Sequence, residues 1–351
     1  MKTYRNLYPQ VCTFENLFEA YRAARRGKRG KAPAADFIRA QEQELLALQD
    51  ELCQQTYRPG PYHSFYIHEP KRRLISAAPF RDRVVHHALC QVIEPLWEQR
   101  FIHDSYANRA GKGAHRALDR CQQFARHYAY VLQCDIRQFF PSIDHAILRD
   151  QLAGVIAEER TLWLCDAILA SGVGVLSEEY HMAWFPGDDL LAALRCRGLP
   201  IGNLTSQFWA NVYLNAFDHF VKRQLKCPAY QRYVDDFLLF GECKQELHTW
   251  RDALIQQLAG LRLTIHENQA QVFPTYTGIP YLGFRVYPSH RLLKRRKLVN
   301  YRRRLRGMLR DYDGSPAARA SLLASLNGWH NHVRYGNTWG LRKAMFGEVR
   351  L

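Results

Sequence analysis

Apolar residues recur along this chain with two different periods, and the period sets the element. Over residues 37–55 the leucines Leu45, Leu46, Leu48 and Leu52 return at helical spacing, and residues 83–98 and 119–127 follow the same pattern. Residues 130–136 depart from it, and this short apolar stretch predicts a buried strand. Helices are expected over 144–157, 161–170 and, longest, 205–224, where Phe208, Val212, Leu214, Phe217 and Val221 carry the apolar positions. Residues 230–240 read as two short strands around a tight turn, and 263–266 and 281–287 as further strands. The C-terminal third is helical again. Strands confined to the middle, with helices before and after, predict an α+β core with helical flanks.

Composition adds size and charge. The 351 residues are 47% hydrophobic and 13% aromatic, enough for a large core and two or three subdomains. No run approaches eighteen apolar residues, so no membrane span is expected, and the polar, basic first ten residues lack a signal-peptide pattern. Nine scattered cysteines without a C-x-x-C fit reduced cytosolic thiols better than disulfides or a zinc site. Cys165, Cys196 and Cys227 are evenly spaced, but their flanks differ and there is no repeat.

Lys and Arg number 49 against 33 Asp and Glu, a net charge of +16. Such a chain asks for an acidic partner, nucleic acid first and an anionic membrane surface second. The charge is uneven: residues 22–31 hold six basic residues and no acid, and residues 291–310 hold ten and no acid. Apolar residues threaded through the second stretch make it a basic amphipathic helix or pair of helices. Its uncompensated charges repel one another unless something anionic lies alongside.

The acids carry the candidate chemistry. Tyr233-Val234-Asp235-Asp236 sits between apolar β-formers. Acids at a hairpin tip are ordinary turn residues. Asp188-Asp189 is a second pair, but it opens an apolar helical run and reads as a helix cap. Asp235 differs because a matching acid exists: Asp135 ends the strand 130–136, and Phe139-Phe140 follows. A strand-end aspartate beside a hairpin-tip aspartate would hold hard divalent cations such as Mg²⁺, which take oxygen ligands and leave room for water and phosphate. Two such ions activate an attacking 3′-hydroxyl and steady a leaving pyrophosphate.

These residues resemble a family. YVDD is similar to the YxDD box of reverse transcriptases, and DIRQFF to their first catalytic aspartate motif, in the usual order about one hundred residues apart. Between them stands Gly198-Leu199-Pro200-Ile201-Gly202-Asn203-Leu204-Thr205-Ser206-Gln207. Most reverse transcriptases carry Gln-Gly after Leu-Pro and a later Ser-Pro. The Ile-Gly and Ser-Gln here resemble the reverse transcriptases of diversity-generating retroelements, which copy a template RNA with errors at adenines.

The resemblance implies roles residue by residue. Asp135, Asp235 and Asp236 would be catalytic and, with the backbone of Ile136, hold two Mg²⁺ per site, with Mn²⁺ able to substitute. Phe140 stands where such enzymes keep an aromatic that excludes the 2′-hydroxyl by clash; its alternative role is core packing. Ile201 replaces the glutamine that meets the nucleotide and template, and an apolar side chain there weakens polar discrimination. Gly202 is the close-approach glycine. Lys71 and Arg73 would clamp the triphosphate. Arg81 and Arg83 resemble template-side residues of the fingers, with pairing to Asp82 or Glu94 as the alternative. The SYANRAGKG stretch, with Arg109 and Lys112, suits a loop against template backbone. Tyr281-Leu282-Gly283 resembles the primer grip, and Arg295, Arg296, Arg302 and Arg303 would lie along an RNA–DNA hybrid on the thumb. The segment Ile265-His266-Glu267-Asn268-Gln269 lacks the lysine that relatives offer as an acid for pyrophosphate, so no general acid is assigned.

The expected fold is therefore a right-hand polymerase with an antiparallel palm sheet and helical fingers and thumb. The fingers with a basic N-terminal extension span 1–129, the palm 130–288 with a helical insertion at about 144–197, and the basic thumb 289–351. The expected function is RNA-directed, adenine-mutagenic DNA synthesis on a retroelement template RNA. Its partners would be the RNA–DNA hybrid, dNTPs and an accessory variability determinant (Avd) oligomer, in the cytoplasm of a bacterium or archaeon or from a phage gene. No segment reads as an RNase H or endonuclease domain. The alternatives are a retron-, group-II-intron-like or defence-associated reverse transcriptase, or a non-catalytic, maturase-like RNA-binding protein. The intact acids and Phe140 speak against the last. A membrane-surface protein is the weakest reading.

Overall fold

The computed structural model describes residues 2–27, 32–68 and 72–347. The chain separates into two compact units that interleave in sequence. The first comprises Met1–His103, Asp135–Lys226 and Asp252–Glu267, and the second Asp104–Cys134, Cys227–Arg251 and Asn268–Leu351. The chain passes between the two units several times.

The first unit is mostly helical. The helix Phe80–Glu98 packs its apolar stripe against the helices Phe14–Arg25 and Leu204–His219. Thr13 starts Phe14–Arg25 by accepting a hydrogen bond from the Asn16 amide. The strands β1 (His63–Ile67) and β2 (Arg73–Ala77) form an antiparallel hairpin. The expected helix over 37–55 is two helices, Ala32–Arg39 and Gln41–Cys53, because Ala40 leaves the helical region. The expected insertion contains the helices His145–Ala153 and Glu159–Ser171 followed by short 3₁₀ turns. Asp189 caps the 3₁₀ turn Leu190–Leu194, whereas Asp188 is engaged elsewhere and accepts two hydrogen bonds from Arg262. The helix Leu204–His219 ends in a π-helical turn, Phe220–Gln224.

The second unit is built on two antiparallel sheets. β3 (Tyr130–Asp135), β4 (Ala229–Tyr233), β5 (Asp236–Gly241) and β6 (Gln271–Pro274) stand in the order β4-β5-β3-β6. β7 (Ile279–Tyr281), β8 (Phe284–Val286) and β9 (Arg291–Leu293) form the second sheet. The helix Ala114–His127 packs Leu118, Cys121 and Phe124 into one core with Val131, Leu238, Phe240, Tyr281 and Phe284. A separate small core joins the helices Arg295–Arg310 and Pro316–Val333, with Leu305 against Leu322, Leu326 and Trp329 and Tyr301 stacked on Trp329 at 4.5 Å.

Three expected elements change form. Residues 263–266 are no strand; Ile265 makes a single bridge to Ile136, and pairing stops where Gln138 turns left-handed at φ 48°. Residues 281–287 are a hairpin, broken at Leu282-Gly283 by two positive φ angles. The basic stretch 291–310 begins as β9 and continues as one helix.

Candidate active site

The YVDD box forms the β4–β5 turn. Tyr233 pairs with Asp236, so Val234 and Asp235 make a two-residue connection. Asp236 opens β5, the strand beside β3 in the sheet. The Gln133 amide donates to Asp236 Oδ1 at 3.3 Å and to the Pro280 carbonyl at 3.2 Å. The far end of β3 therefore lies beside the start of β5. Asp135, two residues beyond Gln133 and on the same face of the strand, ends β3.

Asp135 is tied to the 264–266 segment. Its carbonyl accepts from the His266 amide at 3.0 Å, and the Arg137 amide donates to Thr264 at 2.7 Å. The His266 ring nitrogen Nε2 stands 3.9 Å from Asp135 Oδ2, both side chains being over a third exposed. The bridge uses the carbonyl of Asp135 and the amide of Arg137, not the carbonyl of buried Ile136. Among the described residues no three His, Cys, Asp or Glu side chains converge as metal ligands. Of the three expected acids, Asp236 accepts from Gln133 and Asp135 faces His266.

The motif between the two aspartate segments forms a pinned turn in the first unit. The Ile201 carbonyl accepts from the Ser76 amide at 2.8 Å. Asn203 is 2% exposed, and its side-chain oxygen accepts from Ala78 while its amide donates to Ser76 and Pro200. Asn203 thus locks the turn to the exit of β2, a role the sequence reading did not assign. Gly202 sits at φ 120°, and a Cβ there would stand 3.0 Å from the Ile75 side chain. Phe140 lies half-buried in the short helix Phe139–Ser142, its carbonyl bonded to Leu199.

Comparison with known proteins decides the family. Residues 67–286, well over half of the chain, match the profile of the reverse transcriptase (RNA-dependent DNA polymerase) family. The chain belongs to this family. Protein YkfC of Escherichia coli K12 is 25% identical over 295 residues, covering 72% of each chain. The group II intron-encoded protein LtrA of Lactococcus lactis is 25% identical over 183 residues, 51% of this chain and 28% of LtrA. The mitochondrial nuclear intron maturase 2 of Arabidopsis thaliana is 25% identical over 189 residues, 49% of this chain and 26% of the maturase. The chain thus spans only about a quarter of these two intron proteins. A solved apo telomerase from Candida tropicalis, truncated from its C-terminal domain, aligns at 10% identity with TM-score 0.48, over 70% of this chain and 59% of that one.

The other reverse transcriptase positions divide into engaged and exposed. Arg81 is held by Glu51 at 2.6 Å and Glu44 at 3.7 Å. The alternative pairing with Asp82 or Glu94 is not the one adopted. Asp82 is buried and accepts from the Tyr57 hydroxyl and the Gly60 amide, and burial pushes its carboxyl up. Arg83 donates to the Ala78 carbonyl, and burial lowers its guanidinium. Arg73 is exposed at the start of β2, while Lys71 lies outside the described residues. Arg109 donates to the Ser105 carbonyl, and Lys112 lies over the Tyr106 ring at 5.3 Å. Tyr281 is buried; Leu282 and Gly283 turn the β7–β8 hairpin at φ 45° and 92°. Arg295, Arg296, Arg302 and Arg303 are exposed on a helix with eight basic residues and no acid. Among the described residues no helix is long and apolar enough to cross a membrane.

Two further residues escaped the sequence reading. Gln133 is polar in an apolar strand, and Arg232 is a lone charge before the YVDD box. That misplaced polarity is the signal that could have found them.

Proposed function

We propose that this reverse transcriptase is the polymerase of a diversity-generating retroelement, copying a template RNA into cDNA with errors opposite adenines. The observation that carries the reading is Ile201. The motif 198–207 has isoleucine where most relatives have glutamine, in a turn locked by Asn203 beside Gly202. An apolar side chain there donates no hydrogen bond to the pairing bases, and a site that reads shape alone discriminates weakly.

The chemistry rests on Asp135 and Asp235, with Asp236 as accessory acid and the Ile136 carbonyl as a further oxygen. Hard carboxylate and carbonyl oxygens suit Mg²⁺, with Mn²⁺ as substitute. Two bound ions would acidify the primer 3′-hydroxyl and stabilise the departing pyrophosphate. Within the chain, Phe140 selects dNTP over NTP by bulk, and Lys71 and Arg73 orient the triphosphate. Arg81 and Arg83 support the fingers, and Arg109 and Lys112 face template. The Tyr281-Leu282-Gly283 hairpin and Arg295, Arg296, Arg302 and Arg303 hold the template–primer hybrid through its backbone. An Avd oligomer is the proposed accessory partner. A second reading, a group-II-intron-like enzyme, is favoured by the similarity to the group II intron-encoded protein LtrA and to the nuclear intron maturase.

The test is primer extension on an annealed RNA template with Mg²⁺ and dNTPs, followed by product sequencing, with Asp235→Asn and Ile201→Gln alongside. DNA from the wild type but not from Asp235→Asn, with errors opposite template adenines that Ile201→Gln reduces, is expected. Accurate wild-type DNA would favour the intron-type reading.

A further inference from the structure

Arg232 is a charged side chain with 0% exposure, in the strand that leads into the YVDD turn. Taking a guanidinium out of water is costly unless its donors are satisfied. Nη1 donates to the Val234 carbonyl at 2.9 Å, and Nη2 donates to Ser105 Oγ at 3.3 Å. The backbone is fixed as well: the Arg232 amide donates to the Asp104 carbonyl at 2.9 Å, and its carbonyl accepts from the Tyr106 amide at 3.0 Å. The segment it grips is itself anchored. The Asp104 carboxylate receives Arg120 Nε and Nη2, both at 3.1 Å, and the Tyr106 hydroxyl at 2.7 Å.

The residue on the other side of this clamp is strained. Val234 stands at φ 60°, a left-handed conformation that is a genuine outlier for a β-branched residue. Its carbonyl belongs to the planar peptide that continues into Asp235. Fixing the direction of that carbonyl fixes the peptide plane, and the plane sets where the Asp235 side chain departs. A planar fork meets two acceptors at once, which a lysine ammonium on a flexible stem does not do with the same geometry.

We propose that Arg232 is the positioning residue of the catalytic turn: its buried guanidinium holds Val234 left-handed against the anchored 104–106 segment and so aims the Asp235 carboxylate. The proposal rests on Asp235 being a metal-binding catalytic acid.

The experiment is a double-mutant cycle on the full chain, with kcat, dNTP KM, Mg²⁺ dependence and melting temperature measured for each variant. Arg232→Lys is expected to lower kcat about 30-fold, to raise the Mg²⁺ concentration for half-maximal rate, and to leave dNTP KM unchanged. In the Val234→Gly background, where a left-handed φ costs nothing, the same substitution is expected to lower kcat less than about threefold. Equal losses in both backgrounds would overturn the proposal. Should Val234→Gly be too slow to time, Mg²⁺ affinity by calorimetry reads the same cycle. Should Arg232→Lys fail to fold, Ser105→Ala takes its place, since it loosens the clamp without emptying the core. An unchanged rate and Mg²⁺ dependence in Ser105→Ala would then overturn the proposal. Asp235→Asn separates the two layers. If it polymerises normally, the catalytic reading fails; if it is inactive while Arg232→Lys matches the wild type, the positioning role alone fails.

Discussion

The second unit contains two tight hairpin turns of the same length that hold their backbones by opposite means. In the β7–β8 turn, Leu282 and Gly283 both take positive φ, and the closing pair is Tyr281 and Phe284. This is the geometry that matches strand twist in a two-residue hairpin, and glycine supplies half of it without strain. The β4–β5 turn also spans two residues, but the residue at φ 60° is Val234. Glycine is the residue expected at such a position, and valine is among the least suited. Neither of the two turn residues favours that conformation; the buried guanidinium of Arg232, two residues earlier and itself pinned to the 104–106 segment, bonds the Val234 carbonyl. The proposed primer-gripping turn is thus organised by its own residues, whereas the turn that carries the acids is imposed by its surroundings. A catalytic carboxylate must point in one direction to within a fraction of an ångström, and an imposed turn can be aimed by the rest of the unit.

The comparison can be attacked from both sides. The largest effect is expected from Tyr281→Ala, which empties a fully buried ring site under the self-organised turn; denaturant unfolding should register a loss of about 3–5 kcal/mol. Gly283→Ala is next. A Cβ there meets Lys297 and His332 at ordinary distances of 3.5 and 3.6 Å, so the cost is conformational, about 1–2 kcal/mol of stability. Val234→Gly should act with the opposite sign. Relief of strain outweighs the extra freedom of glycine in the unfolded chain, and stability should rise by about 0.5–1 kcal/mol in the same assay. If both glycine exchanges destabilise, the two turns are not opposites.

The smallest effect concerns pH. His332 lies beside Gly283, and burial, with His115 and Lys297 adding to it, holds its ring below the ordinary histidine value. The unfolded chain therefore binds a proton before the folded one does. Stability is unaffected above about pH 6.5 and falls as pH drops below it. Melting curves of His332→Gln should lose that part of the acid slope.

Much of the molecule was legible in its residues. The hairpin 230–240, the strand ending at Asp135 and the long helix from Leu204 follow from apolar periodicity and turn placement, which are local properties. The YVDD and DIRQFF motifs placed the chain in its family for the same reason. Short elements were missed. β6 and β9 have three or four residues each, too few for a period to register, and their pairing comes from neighbours distant in sequence. The acids at 188 and 189 look alike in sequence, yet one caps a turn and the other is bound by Arg262, which is 74 residues away.

Net charge, apolar periodicity and the spacing of Asp135, Ile201 and Asp235 were determined by the sequence itself, because each depends only on residue type and separation along the chain. Tertiary structure decided which polar residues became supports. Arg81 went to Glu44 and Glu51, Asn203 to the exit of β2, and Gln133 to Asp236. It also decided that Val234 would be left-handed, under Arg232. Buried polar groups must find partners, and which partners lie within reach is a property of the folded chain rather than of any segment of it.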